Sequence, residues 1–219
     1  MATVVITGAN RGIGLELCRQ CAARGDTVIA VCRSAGNELA ALGVEVIDGI
    51  DVAEQRDVTA LASRLRGREI DILINNAGIL RADRLDSADP DAMLAQYRVN
   101  AIGPLCVTRA LRGRIRNGGK VGIVSSRVGS IADNGSGGNY GYRASKAAAN
   151  MIGTNLMHDL EPDGISVALL HPGMVATDMT RGNGIAPAEA AAGILARIDE
   201  LTPESSGGFW HANGERLPW

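Results

Sequence analysis

Thr3-Val4-Val5-Ile6-Thr7-Gly8-Ala9-Asn10-Arg11-Gly12-Ile13-Gly14 decides how this chain is read. Its first five residues are all β-branched, as in a strand covered on both faces, and helical periodicity takes over from Ile13 to Arg24. Glycines at 8, 12 and 14 separate strand from helix. Such a turn brings backbone N–H groups and a helix N-terminus close to a pyrophosphate, where side chains would stand in the way. The G-x-x-x-G-x-G spacing is not the G-x-G-x-x-G dinucleotide fingerprint, and a structural tight turn uses the same residues. Taken alone, the turn leaves both readings open.

The pattern repeats outward. Further short apolar runs at Thr27–Cys32, Val44–Ile50, Ile70–Ile74, Val121–Ser125, Ile165–Leu170 and Phe209–His211 are expected strands. Helical stretches are expected at Val58–Leu65, Pro90–Arg116, Tyr142–Leu160 and Pro187–Leu201. Alternating strands and helices imply βαβ units, and runs such as TVIAV and ILIN are apolar throughout. The expected fold is a Rossmann-type doubly wound parallel sheet with helices on both faces, one domain over residues 1–219. Two loops rich in small residues, Asp133–Asn139 and Thr180–Ile185, follow strands and are candidate site walls.

Composition narrows the function. At 219 residues and 46% hydrophobic the chain can bury a full core. A net charge of −2 argues against a protein that coats nucleic acid or an anionic membrane. Four cysteines are too few for a disulfide scaffold, and the N-terminus carries no basic leader, so a cytoplasmic protein is expected. Glycine is in excess, 28 residues or roughly twice average usage, and it concentrates in the turns named here.

Five further motifs stand in order. Asp71-Ile72-Leu73-Ile74-Asn75-Asn76-Ala77-Gly78 ends the fourth strand, and Val99-Asn100 lies in the long helical stretch. Ser125-Ser126 ends the fifth strand, Tyr142-Arg143-Ala144-Ser145-Lys146 opens a helix, and His171-Pro172-Gly173-Met174-Val175-Ala176-Thr177 follows the sixth strand. With the glycine turn, these motifs resemble the short-chain dehydrogenase/reductase family over essentially the whole chain. The resemblance implies a catalytic set of Asn100, Ser126, Tyr142 and Lys146. It further implies cofactor contacts from Gly8, Asn10, Arg11, Gly12 and Ile13 at the turn, and from Asp51 and Val52 beside the adenine. Asn76, Ala77 and Gly78 would lie by the adenosine-side ribose, and Pro172, Gly173, Val175 and Thr177 at the nicotinamide end.

Residue chemistry supports the central pair. Tyr142 and Lys146 are i and i+4 on a helix and share a face. An ammonium about 4 Å from the phenol, at an effective dielectric near 20, favours phenolate by roughly 4 kcal/mol and brings its pKa to about 7. Tyr140 has no such lysine. Ser126 matches the family's active serine, which leaves Ser125 structural. Asn100 in the family binds a water that links the lysine to solvent, whereas a lone helical asparagine is usually exposed. The reaction implied is hydride transfer from reduced nicotinamide to a carbonyl carbon. Tyr142 protonates the oxygen, Ser126 hydrogen-bonds to it, and Lys146 also grips the nicotinamide ribose.

The cofactor's phosphate can be argued from charge. An NAD site wants an acid at the end of the second strand, an NADP site a cation. Here the strand ends Val31-Cys32-Arg33, with Asp26 at its other end and Arg11 supplying a second cation. NADP(H) is expected, bound in part by Arg33 and Arg11.

Cys18 and Cys21 form a C-x-x-C without a second pair and read as helix packing. The three histidines are scattered, so no metal is expected, and no G-x-S-x-G marks a serine hydrolase. SSRVGSI, DNGSGGNYGYRASKAA and GGFWHANGERLPW look most like the sniffer and C-factor type of NADPH-dependent carbonyl reductases. That points to aldehyde, ketone or quinone substrates in an open site, and to a homo-oligomer paired through the helices around 100–116 and 142–160. The rival is a regulatory protein that binds NADP(H) without turnover.

Overall fold

In the computed structural model, which describes residues 1–219 throughout, β1 (Thr3–Thr7) lies inside a seven-stranded sheet. It pairs in parallel with β2 (Thr27–Val31) on one side and β4 (Ile70–Asn75) on the other. β3 (Glu45–Ile47) extends the β2 edge. On the other side follow β5 (Ile115–Val124), β6 (Ser166–His171) and β7 (Gly208–His211), so the order is 3-2-1-4-5-6-7 and every pairing is parallel. The chain reverses its direction of travel across the sheet between β1 and β4, where diverging loops leave a crevice.

The β-branched strands bury both faces. Val4 and Ile6 join one core with Cys18 and Cys21 of α1 (Gly12–Ala23) and Ile194 and Ile198 of α7 (Pro187–Asp199). Val5 faces the opposite core. There it lies with Leu61 of α3 (Gln55–Arg64), Val107 of α5 (Gly103–Leu111) and Leu156 of α6 (Tyr140–Leu160). A short α2 (Asn37–Ala40) was not expected, since four residues show no period. Cys18 and Cys21 are buried, as helix packing requires, and burial pushes their thiols up to about 12 and about 11.

One expected helix is corrected. Residues 90–116 form α4 (Pro90–Tyr97), a π-helical turn Arg98–Ile102 and α5, and strand β5 already begins at Ile115. The helix stays continuous to Leu111, and its widening into a π turn falls just before Pro104, which lacks the N–H of a regular helical ladder. Strand β5 begins early through an excursion, its register with β4 jumping from Ile70–Ile115 to Ile72–Lys120. No helix is long and apolar enough to cross a membrane.

Candidate active site

The glycine turn is packed from behind by the end of β4. Thr7 Oγ1 accepts from the N–H groups of Asn76 and Ala77, both at 3.1 Å. The Asn76 amide donates back to the carbonyls of Thr7 and Gly8 at 3.0 and 3.1 Å. Gly8 has φ +65, and a Cβ there would lie 2.7 Å from Ala77 Cα. A Cβ on Gly14 would overlap the Gly8 carbonyl and sit 2.6 Å from Asn76 Nδ2. Asn10 ties the turn to the β2 loop through Ser34 O at 3.1 Å, and Ile13 packs on the core beneath. The first turn of α1 has no side-chain cap and no acidic residue, which suits an anion against its N–H groups.

Loop 172–185 closes onto this turn. Gly173 has φ +88, Pro172 and Val175 are buried, and Val175 bridges to Ile185. A Cβ on Gly12 would meet Thr177 Cγ2 at 3.2 Å, so the two loops touch. Arg11 crosses the gap to Asp178 at 2.8 Å, both side chains being largely exposed. Arg33, also exposed, lies 3.9 Å from Asp51. The two arginines expected as free cations are therefore matched to carboxylates. Such exposed pairs are worth about 0–1 kcal/mol, little resistance to a phosphate that competes for the guanidinium. Asp51 Oδ1 accepts from Ala53 N at 3.0 Å, and Val52 is a core residue, so its side chain is turned under Gly103.

Three residues on one face of α6 address the end of β5 in turn. Ser126 faces the half-buried Tyr142 phenol, Lys146 Nζ donates to Val124 O at 2.8 Å, and Asn150 Oδ1 accepts from Ser125 Oγ at 2.6 Å. Ser125 is buried and spends its hydroxyl on this contact. Asn150, four residues past Lys146, was missed, although extending the Tyr-Lys spacing by one turn points to it.

Asn100 is not the exposed helical asparagine of ordinary experience. The π turn buries it, and its amide clamps Ile79 by accepting from Ile79 N and donating to Ile79 O, both at 2.8 Å. It also donates to Ser145 Oγ at 3.0 Å. Asn100 thus joins the β4 loop to the Tyr-Lys helix beside Gly78, whose added Cβ would be 3.4 Å from Asn100 Oδ1 and 3.8 Å from Lys146 Nζ.

Asp83 was also missed. Its carboxylate accepts from Tyr140 N at 2.5 Å and Gly141 N at 3.1 Å, capping a 21-residue helix whose own N-cap, Asn139, offers no side-chain bond. A cap supplied from another loop has no signature in the local sequence.

Electrostatics correct the expected phenol. Burial pushes Tyr142 up to about 12, with the Ser126 hydroxyl acting in the opposite direction, instead of Lys146 drawing it to 7. The ammonium is 5.7 Å from the ring centroid and bonded to Val124 O, so desolvation wins. Burial also brings Lys146 down to about 8.

The folded state holds the Lys146 proton less tightly than the unfolded chain does. The resulting cost, about 3 kcal/mol, is fully present below pH 8 and fades as pH rises toward 10.5. Lys146→Met should therefore be more stable than wild type at pH 6.5. An advantage of about 2 kcal/mol remains after the orphaned Val124 carbonyl is counted, and it should shrink above pH 8. Urea unfolding at several pH values checks this, and a variant less stable at pH 6.5 would refute it.

Fold and site together define an oxidoreductase of the dinucleotide-fold type. The chain belongs to the short chain dehydrogenase family, whose family model matches residues 2–186. It is 49% identical to the 1-hydroxy-2-glutathionyl-2-methyl-3-butene dehydrogenase of Rhodococcus sp. (strain AD45), covering 100% of both chains. It is 42% identical to the C-signal protein of Myxococcus xanthus, over 73% of this chain and 99% of that one. Among solved structures it resembles NADPH-bound carbonyl reductase from chicken fatty liver, with TM-score 0.91 and 29% identity over 100% of this chain and 99% of the other.

Proposed function

We propose that the chain is an NADPH-dependent reductase of aldehydes, ketones or quinones, a single NADP-binding domain over residues 1–219. The observation that carries the reading is the meeting of Ser126, Tyr142 and Lys146 at the carboxyl end of β5, beside the crevice that the glycine turn borders. The likeness to an NADPH-bound carbonyl reductase supports it.

When bound, reduced nicotinamide supplies a hydride. The chain's own part is to hold the carbonyl and deliver a proton. A phenol pushed up to about 12 stays protonated at neutral pH and is a ready donor, provided that its anion is stabilised as it forms. Lys146, 5.7 Å from the ring centroid, offers about 3 kcal/mol to that anion at an effective dielectric of 20. The Ser126 hydroxyl, next to the phenol, bonds the substrate oxygen. Asn100 fixes the Ile79 peptide, which keeps the β4 loop in place beside the lysine.

The cofactor residues proposed are Gly8, Asn10, Arg11, Gly12 and Ile13, then Arg33, Asp51, Val52, Asn76, Ala77, Gly78, Pro172, Gly173, Val175 and Thr177. Tyr142 and Lys146 complete them at the ribose. The Asn76 amide is committed to the turn's carbonyls and acts by shaping the cradle. Val52 contributes through its backbone, its side chain being buried. Arg33→Asp should lower the NADPH-over-NADH ratio of kcat/KM by roughly 100-fold, since a charge-assisted phosphate contact becomes a repulsion. An unchanged ratio would remove Arg33 from the site.

The Rhodococcus relative, named as a dehydrogenase, favours a second reading: the same residues working in the oxidising direction on an alcohol. A regulator that binds NADP(H) without turnover has no use for the Ser-Tyr-Lys set, and enzyme is preferred. Two copies are proposed to pair through the α5 and α6 region, where Met151 is exposed. The test is NADPH oxidation over a panel of aldehydes, ketones and quinones, with NADP⁺ reduction by alcohols run alongside. Turnover of carbonyls is expected, and none in either direction refutes the reading.

A further inference from the structure

The segment between Ser126 and α6 borders the reacting groups and is tied down at separate points: Arg127 pairs with Asp133, Ser130 Oγ and Ala132 N donate to Trp219 O, and Asn139 N donates to Asp83 O. Residues 131–137 are all exposed and belong to no helix or strand. One side chain bridges its two ends. Arg143 Nε donates to the carbonyls of Gly137 and Gly138 at 3.2 and 3.1 Å, Nη1 to Val128 O at 3.3 Å, and Nη2 to Ser136 Oγ at 2.7 Å. All three nitrogens are engaged, and the acceptors come from both ends of the segment.

The choice of acceptors separates this contact from an ordinary surface charge. Arg11, Arg112 and Arg127 each meet a carboxylate, whereas Arg143 forms no ion pair and is satisfied by three carbonyls and a hydroxyl. Its two neighbouring carbonyl partners belong to a left-handed run, with φ 59 at Gly137, 68 at Gly138 and 49 at Asn139. Such charge-assisted bonds are among the stronger ones a backbone carbonyl accepts.

Position then gives the contact a role. Arg143 follows Tyr142 directly, about 100° round the helix, so it points away from the Tyr-Lys face. Its partner Val128 stands two residues after Ser126, whose hydroxyl accepts from Val128 N at 3.4 Å and whose carbonyl accepts from Gly129 N at 2.8 Å. The guanidinium therefore grips the turn that carries Ser126 and roots it on the helix that carries Tyr142.

We propose that Arg143 is a positioning residue: it fastens segment 128–138 to the Tyr142 helix, so that Ser126 and the substrate-side wall keep one arrangement. The role in turnover rests on the reduction proposed above. The anchoring itself does not.

Two variants test it. Arg143→Ala should raise amide hydrogen exchange across 128–138 by about tenfold or more, while β5 and the middle of α6 exchange as in wild type. It should lower kcat/KM for carbonyls by roughly 30-fold through both kcat and KM, with the Kd for NADPH within about twofold, because the cofactor loops are elsewhere. Guanidinium at millimolar concentration should restore part of the rate. Arg143→Lys, with one nitrogen for four acceptors, should fall between. Unchanged exchange in 128–138 overturns the anchoring. Faster exchange with wild-type kcat and KM overturns the positioning role, as does a loss that follows melting temperature alone and that guanidinium does not rescue. If Arg143→Ala does not fold, the same readings on Arg143→Lys decide. A wild type that reduces no carbonyl sinks the reaction reading, and the exchange experiment still decides whether Arg143 holds the segment.

Discussion

In the Tyr142→Phe variant, NADPH-dependent carbonyl reduction should fall by roughly 10³-fold, the range for loss of a positioned general acid. Phenylalanine keeps the ring in its half-buried place and removes only the oxygen, so the fold has little reason to change. Burial disfavours the ionised phenol until about pH 12, so the group being removed is neutral. No charge is lost at neutral pH when it goes. Lys146 keeps its bond to Val124 O, and the glycine turn is untouched. NADPH should accordingly bind the variant within about twofold of wild type, as cofactor fluorescence would report. Turnover within tenfold of wild type would remove Tyr142 from the acid's role. Loss of NADPH binding would show that the ring supports the cofactor as much as the chemistry.

The second large effect is steric. Gly14→Ala places a methyl where the Gly8 carbonyl already lies, and 2.6 Å from an Asn76 amide that is itself held by two backbone carbonyls. None of these neighbours is the free end of a flexible side chain. The turn has to open. Its cost should reach about 3 kcal/mol, the upper end for overpacking. The NADPH Kd should rise by roughly 100-fold, because opening separates the N–H groups that face the pyrophosphate. Gly113→Ala is the control, its added methyl meeting nothing within 4 Å, and it should leave both quantities alone. Thermal melts with and without NADPH distinguish the cases, and a Gly14→Ala protein that binds like wild type would refute the account.

What could be read in advance follows physical range. The β1 run, the glycine turn and the Tyr142–Lys146 spacing are local patterns, and each lies where expected. The sheet follows from apolar strands that need cover on both faces. The long helix from Pro90 does run on to Leu111, but its π turn leaves no periodic trace, and the start of β5 at Ile115 depends on pairing with the distant Ile70. The burial of Asn100 has no local trace either, as its partner Ile79 is 21 residues away. Arg11 and Arg33 were legible as cations but not as paired ones, since Asp178 arrives on a loop 167 residues later. The phenol's pKa failed for want of a distance. A helical spacing fixes a shared face but not how far desolvation outweighs a neighbouring charge.

The successive contacts of α6 with the end of β5 divide the site into parts of different mechanical stiffness. To separate Tyr142 from Ser126, the helix must also leave Val124 and Ser125, which are buried and tied by Lys146 and Asn150. The rim made by residues 131–137 is exposed and held only at points, by Arg143 to Ser136 and Gly137, by Arg127 to Asp133 and by Ala132 to Trp219. Opening of the rim should cost less than slippage of the reacting face, which should require something close to global unfolding. Substrate range and proton transfer are thus engineering targets of different stiffness: a loop exchanged into the rim leaves the β5–α6 contacts standing, and it spares the chemistry so long as it keeps acceptors for Arg143.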